Sequence, residues 1–204
     1  MAARLDHLVV TADRLGAGAE YLHDTLGLMP GPGGDHAAMG THNRLLSLGP
    51  QTYLEAIAVD PDGPEPGHKR WFGLDQPPTQ PRLSHWALRV DDLDVALADA
   101  PEGIGVPVEL QRGDYRWRIT VPEDGKQPFG GLFPALIEWQ APMPAPALED
   151  HCARLVSLVL SHPDVGALGW ALSMLTEDDR VIVRKGPAGL SALIHTETGE
   201  KVLS

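Results

Sequence analysis

The sequence predicts an α+β fold in which a βαβββ unit occurs twice and a shorter βαββ unit follows, and three observations lead there. A strand motif recurs: Arg4-Leu5-Asp6-His7-Leu8-Val9-Val10 is echoed by Arg82-Leu83-Ser84-His85-Trp86-Ala87-Leu88. Each copy runs into an aspartate-headed helix pattern and then a set of short strands. Each half also carries a late apolar strand with a carboxylate at its centre, Glu55 in Tyr53-Leu54-Glu55-Ala56-Ile57 and Glu138 in Leu136-Ile137-Glu138-Trp139.

In order along the chain, alternation over residues 5–10 places Leu5, His7 and Val9 on one face and Asp6, Leu8 and Val10 on the other. Asp13 is positioned to cap a helix whose face is Leu15, Ala19, Leu22 and Leu26, with Gly27 as its stop. Residues 30–34 read as a turn, and strands are expected near 36–40, 44–48 and 52–59, completing a first unit over residues 1–60. Residues 61–81 are rich in Pro and Gly and form a connector, pinned by Trp71 and Phe72 at a surface or a pocket rim. The second unit, 82–141, repeats the order: a strand at 83–90, a helix from Asp91 through Ala100, and strands near 106–111, 116–121 and 135–140. Beyond a Pro-rich hinge, residues 148–204 form a partial third unit. There Arg154 to Leu160 aligns with the earlier first strands, and Ser157 stands at the histidine step. A helix follows through Val165, Leu168, Leu172 and Leu175, and then strands near 180–184 and 190–195. This unit is expected to extend a sheet, cover one end or form a dimer contact.

Composition bounds the function. The 204 residues, 43% hydrophobic and 22% charged, describe an ordinary globular chain, and the formal charge of −12 with no Lys/Arg cluster argues against nucleic acid and anionic membrane surfaces. Cys152 is the single cysteine, and the N-terminus enters a strand without a signal-like leader, so the expectation is a cytoplasmic protein. No Gly-x-Ser-x-Gly elbow or Cys-x-x-Cys pair supports nucleophilic hydrolysis or a thiolate zinc site. Gly31-Pro32-Gly33-Gly34 follows a helix instead of preceding one, which makes it a poor phosphate cradle.

Two imidazoles and two carboxylates at repeated positions are candidates to converge on one divalent ion. The expected metal ligands are His7, Glu55, His85 and Glu138, a mixed N/O set that suits Zn, Fe, Mn, Ni or Co. Such a cluster is electrically balanced, a physical reason for placing carboxylates inside apolar strands. Glu55 and Glu138 are also the catalytic candidates, one of them leaving the metal to act as base. A strand histidine is otherwise a hydrogen-bonded core residue, and a strand carboxylate otherwise faces water. Among substrate-binding candidates, His42 and Asn43 lie beside a Gly-Thr turn, where loop capping is the simpler role. In Tyr115-Arg116-Trp117-Arg118, Arg118 and Trp117 take opposite faces; an inward arginine would clamp a carboxylate, an outward one is a solvated charge. Residues 125–133 read as a mobile lid or a tight loop.

These motifs resemble the glyoxalase-like branch of the vicinal oxygen chelate superfamily (glyoxalase, bleomycin resistance, extradiol dioxygenase). The resemblance is carried by Leu5-Asp6-His7-Leu8-Val9, Gly40-Thr41-His42-Asn43 leading to Tyr53-Leu54-Glu55, Leu83-Ser84-His85-Trp86, and Leu136-Ile137-Glu138-Trp139, over residues 4–140. It implies two βαβββ modules around an open half-barrel cavity and the same four ligands. It further implies a metal-dependent isomerase or lyase moving a proton on a small oxygenated metabolite, with a homodimer as the usual assembly. A non-catalytic protein that sequesters a small ligand, or an iron-dependent extradiol-type dioxygenase, would use the same fold.

Overall fold

Two βαβββ units share one sheet in the structure, a computed structural model that describes residues 3–204. The first unit comprises β1 (Arg4–Thr11), α1 (Leu15–Leu26), β2 (Gly31–His36), β3 (Thr41–Ser47) and β4 (Tyr53–Val59). The second comprises β5 (Arg82–Arg89), α2 (Leu93–Leu97), β6 (Val106–Arg112), β7 (Tyr115–Val121) and β8 (Ala135–Trp139). Their strands run in the order β2-β3-β4-β1-β5-β8-β7-β6, symmetric about the antiparallel β1/β5 seam. In each half the first strand lies parallel to the last. The sheet curls into a half-barrel whose edge strands β2 and β6 approach each other.

Both faces of the seam are covered, which is why β1 and β5 are buried almost throughout. On the concave side Val9, Ala87, Ile57, Ile137, Trp117 and Ile119 form one apolar cluster with Trp71 and Phe72. On the convex side Leu8, Val10, Trp86 and Leu88 pack with Leu22 and Leu26 of α1. Fully buried leucines such as Leu8 and Leu22 each contribute about 1.5–3 kcal/mol. Gly27 closes α1 in the left-handed region (φ 75°), with its N–H on the His23 carbonyl.

Several boundaries differ from expectation for physical reasons. Residues 31–36 are an edge strand instead of a turn, since Pro32 can occupy an edge without breaking a ladder, and the reversal falls at residues 37–40. Asp13 does not cap α1, whose N-cap is Arg14; Asp92 caps α2 by accepting from the Val95 N–H. Helix α2 spans five residues only.

The C-terminal unit gains a strand: β9 (Arg154–His162), α3 (Val165–Ser173), β10 (Val181–Lys185), β11 (Gly189–Thr196) and β12 (Gly199–Leu203). It forms its own sheet, β10-β9-β11-β12, instead of extending the first. Leu158, Leu160, Ala192, Ile194 and Leu203 join the convex-side cluster with Leu8, Trp86 and Leu88, so this sheet covers the outer face of the seam. No helix among the described residues is long and apolar enough to cross a membrane.

Candidate functional site

A pair of β-bulges builds the centre of the molecule. Along the β1/β5 seam the register passes from Leu5↔Leu88 to His7↔Ala87, leaving Asp6 as the extra residue, and from Val9↔His85 to Val10↔Leu83, leaving Ser84 extra. Strict alternation is broken at the same step in both halves. Leu5 and Leu83 therefore join the convex core, while His7 and His85 face the concave side. The bulged side chain then reaches its histidine neighbour: Asp6 Oδ1 lies 2.7 Å from His7 Nδ1, and Ser84 Oγ lies 2.9 Å from His85 Nδ1.

Asp6 is fully buried and also accepts from Trp139 Nε1 at 3.1 Å, with Arg89 at 3.6 Å. It accepts from His7 Nδ1 and so turns Nε2 inward, where Glu55 Oε2 stands 3.8 Å away. That separation is too long for a direct hydrogen bond and leaves an imidazole nitrogen and a carboxylate oxygen facing each other. Tyr53 stacks on the His7 ring at 4.7 Å. Burial, then the Asp6 and Glu55 carboxylates, push its phenol well above the usual range, so it stays protonated. Glu55 is steered from its other oxygen by Asn43 Nδ2 at 2.5 Å. The Asn43 carbonyl in turn accepts from the Gly34 N–H and from Arg112 Nη1, each at 2.9 Å. His36 Nε2 also accepts from Arg112 (3.3 Å), leaving Nδ1 to donate to Thr41 Oγ1 (3.2 Å). Burial, reinforced by the Arg112 charge, lowers the His36 pKa to about 3, so the ring is neutral.

These groups surround a buried cavity of about 30 Å³, walled by Trp71, Phe72, Trp117 and Trp139. Among the described residues the buried Trp71 indole N–H has no hydrogen-bond partner. An unmatched donor in such a wall suits a ligand oxygen.

Of the residues expected from sequence, His7, Glu55, Asn43 and Trp117 meet here. His85 does not join them. It is buried beside Phe72, ring centroids 5.2 Å apart, and a Cβ at Gly131 would lie 3.2 Å from its Nε2. Burial, then the Arg82 charge, hold its pKa down to about 3. Glu138 takes the opposite face, accepting from the Leu93 N–H at the start of α2 (2.8 Å) and from Arg118 (3.4 Å). Register explains this. Val9, two steps beyond His7, pairs with Glu55, whereas Ala87, two steps beyond His85, pairs with Ala135. Ala135 is thus the counterpart of Glu55, and Glu138, three residues later, points the other way.

Arg118 also lies on the helix face, bound to Asp94 at 2.8 and 3.0 Å, so it is a corrected assignment: Trp117 is the inward residue of β7. His42, opposite in parity to Asn43, lies 3.9 Å from Asp60 on the other face of β3. Trp71, expected at a surface or a pocket rim, walls the cavity, as does His36 from the 34–43 stretch, whereas sequence reasoning missed Asp6, Tyr53, Trp139 and Arg112 around it. Only Asp6 had a local signal, its adjacency to His7, and assumed alternation discarded it.

The ligand set implied by the resemblance does not assemble. Among the described residues, the one group of three His, Cys, Asp or Glu ligand atoms lying within 4.8 Å of one another is Asp35, His42 and Asp60, outside the cavity. Within the cavity, His7 and Glu55 are accompanied by the Arg112 guanidinium, which opposes a dication. Among the described residues no two histidines and a carboxylate of the cavity gather their ligand atoms within 4.8 Å of one another, so a facial triad is not formed there.

Comparison with known proteins agrees with this architecture. The family described as Glyoxalase-like domain matches residues 5–176. A hypothetical protein from Staphylococcus aureus superposes with a TM-score of 0.66 at 13% identity, covering 96% of this chain and 92% of that one. A methylmalonyl-CoA epimerase from Streptomyces coelicolor, in complex with 2-nitronate-propionyl-CoA, gives a TM-score of 0.46 at 18% identity over 69% of this chain and 100% of that one. A mutant 4-hydroxymandelate synthase from Streptomyces coelicolor gives 0.49 at 14% identity over 97% of this chain and 60% of that one. No curated protein sequence matches the chain. With the family's profile running from β1 into the C-terminal unit and the paired βαβββ units in place, the chain belongs to the glyoxalase-like domain family.

Proposed function

We propose that this protein acts on a small oxygenated metabolite by proton transfer, as an isomerase or lyase, with Glu55 and His7 as the acid–base pair. The observation that carries the reading is the buried line Asp6, His7, Glu55, in which an imidazole and a carboxylate stand 3.8 Å apart beside a cavity. A carboxylate and an imidazole that face the same cavity can pass one proton by way of a substrate group that meets both from the cavity side. Asp6 fixes the His7 tautomer and stabilises the imidazolium when Nε2 takes the proton. Asn43 holds Glu55 in place, and the Trp71 N–H is a free donor for a substrate oxygen on which charge develops. The aromatic walls exclude water and strengthen each of these interactions. No step is assigned to a metal ion, because His85 and Glu138 are not placed to complete its ligand set.

The test is hydrogen–deuterium exchange in D2O, followed by NMR on a panel of α-hydroxy ketones, 2-oxo acids and catechols. Wild-type protein is expected to wash deuterium into the carbon next to a carbonyl of one class. Glu55→Gln should abolish this, and Asp6→Asn should slow it about 10²–10⁴-fold while leaving binding largely unchanged. Tight binding without exchange would establish the sequestration reading instead. Exchange that survives Glu55→Gln would remove Glu55 from the chemistry.

A further inference from the structure

We propose that Arg112 is the specificity residue of this site, and that it selects a monoanionic organic acid whose carboxylate binds the guanidinium while its apolar body lies in the groove behind it. The proposal rests on the proton-transfer reading only for the chemistry assigned to Glu55 and His7. Two spaces meet at this residue. One is the buried cavity of about 30 Å³; the other is an open groove of about 790 Å³ formed by residues 31–34, Leu45, Tyr115, Pro142, Pro144 and Leu148. Leu45, Arg112 and Pro144 line both. The small cavity has room for about one water molecule, whereas the groove falls in the usual range of ligand sites. A substrate that reaches Glu55 from the groove must therefore pass Arg112.

The guanidinium is set up for an anion. Arg112 ends the edge strand β6 and reaches across to β2 and β3, where its partners are the neutral Asn43 carbonyl and the neutral His36 ring. Every other partly buried arginine meets a carboxylate: Arg70 with Glu65 and Asp75, Arg89 with Asp6, Arg118 with Asp94, Arg154 with Asp150, Arg180 with Asp178. Among the described residues Arg112 has none within 4.0 Å, in a chain carrying 28 acidic and 16 basic residues. A carboxylate would accept two parallel bonds from this fork and displace the two weaker neutral acceptors.

The glycine run unexplained by the sequence also finds a role. A Cβ at Gly34 would stand 2.6 Å from Arg112 Cδ, so glycine there is what lets the arm cross between the sheet edges. Recognition also connects to the base, since Asn43 accepts from Arg112 with its carbonyl and donates to Glu55 with its amide. Asp114 and Glu149 on the groove wall disfavour a dianion such as a phosphate monoester, and Leu45, Leu148 and the prolines favour an apolar body.

Calorimetry on the full chain tests this with three matched probes: 2-oxo-4-phenylbutanoate, its methyl ester, and the corresponding phosphonate. Wild-type protein should bind the acid at least about tenfold tighter than the ester, the gain of one charge-assisted bidentate contact. Arg112→Gln should erase that preference and leave ester binding intact, and Arg112→Lys should restore only part of it. Gly34→Ala, which displaces the arm without touching charge, should weaken the acid alone. Equal binding of acid and ester, tighter binding of the phosphonate, no binding of any probe at millimolar concentration, or a preference that survives Arg112→Gln in a folded variant would each overturn the proposal. Should Arg112→Gln fail to fold, the Gly34→Ala result decides. Acid preference without deuterium exchange would count against proton transfer and not against Arg112; exchange on neutral ketones unaffected by Arg112→Gln would do the reverse.

Discussion

At the scale of single residues, the site is a chain of polar groups, each oriented by the next. Asp6 sets the tautomer of His7, Asn43 sets Glu55, and Arg112 sets both Asn43 and His36. Burying neutral imidazoles has a consequence for stability. His36 and His85 fall from 6.5 to about 3 in the folded protein, chiefly through burial. In the unfolded chain they protonate normally, so the unfolded state binds protons first as pH drops. Their contribution to stability is complete above about pH 6.5 and is lost progressively between there and about pH 3, by about 1.4 kcal/mol per histidine per pH unit. Urea midpoints should therefore fall steeply from pH 7 to pH 5, and His85→Gln should flatten part of that slope. An unchanged slope in this variant would mean that the imidazole carries its proton in the folded state.

At the scale of elements, the two bulges matter more than the strands they interrupt. Each inserts one residue before a histidine, turns that histidine to the concave face and supplies its hydrogen-bond partner. The duplication persists in geometry but has diverged in chemistry, since Asp6 corresponds to Ser84 and Glu55 to Ala135. Glu138 serves α2 instead: it accepts the Leu93 N–H of a helix too short to persist alone, beside the Arg118–Asp94 pair. Glu138→Ala is expected to cost about 1–3 kcal/mol, by orphaning that N–H and loosening Arg118, and to leave deuterium exchange at the level of the parent. Chemical denaturation read beside the exchange assay checks this; lost exchange at unchanged stability would return Glu138 to the reaction.

For the molecule as a whole, the C-terminal sheet and the half-barrel share one apolar layer. Ile194, Leu160 and Leu203 pack into the same cluster as Leu8, Trp86 and Leu88, directly behind the strands that carry His7 and His85. Ile194→Ala should cost about 2–5 kcal/mol, and amide exchange should accelerate in β1 and β5 together with β11 if the layers unfold as one unit. Faster exchange confined to β9–β12 would show two independent cores.

Local pattern was enough to reveal the duplicated βαβββ plan, the helix faces, the recurring histidines and the acidic, cation-poor character of the chain, because periodicity, turn residues and charge are properties of neighbours in sequence. It also named His7, Glu55, Asn43 and Trp117, which line the cavity, but left open which of Trp117 and Arg118 faces inward. Which carboxylate belongs to which face was decided by register, a pairing between strands tens of residues apart, and an offset of three residues sends Glu138 to the other face and leaves Ala135 at the position equivalent to Glu55. The bulges were hidden for the same reason: an extra residue exists only relative to a partner strand. Arg112 lay furthest from view. Its meaning depends on the curl that brings the two sheet edges together, and no local stretch of sequence records that closure.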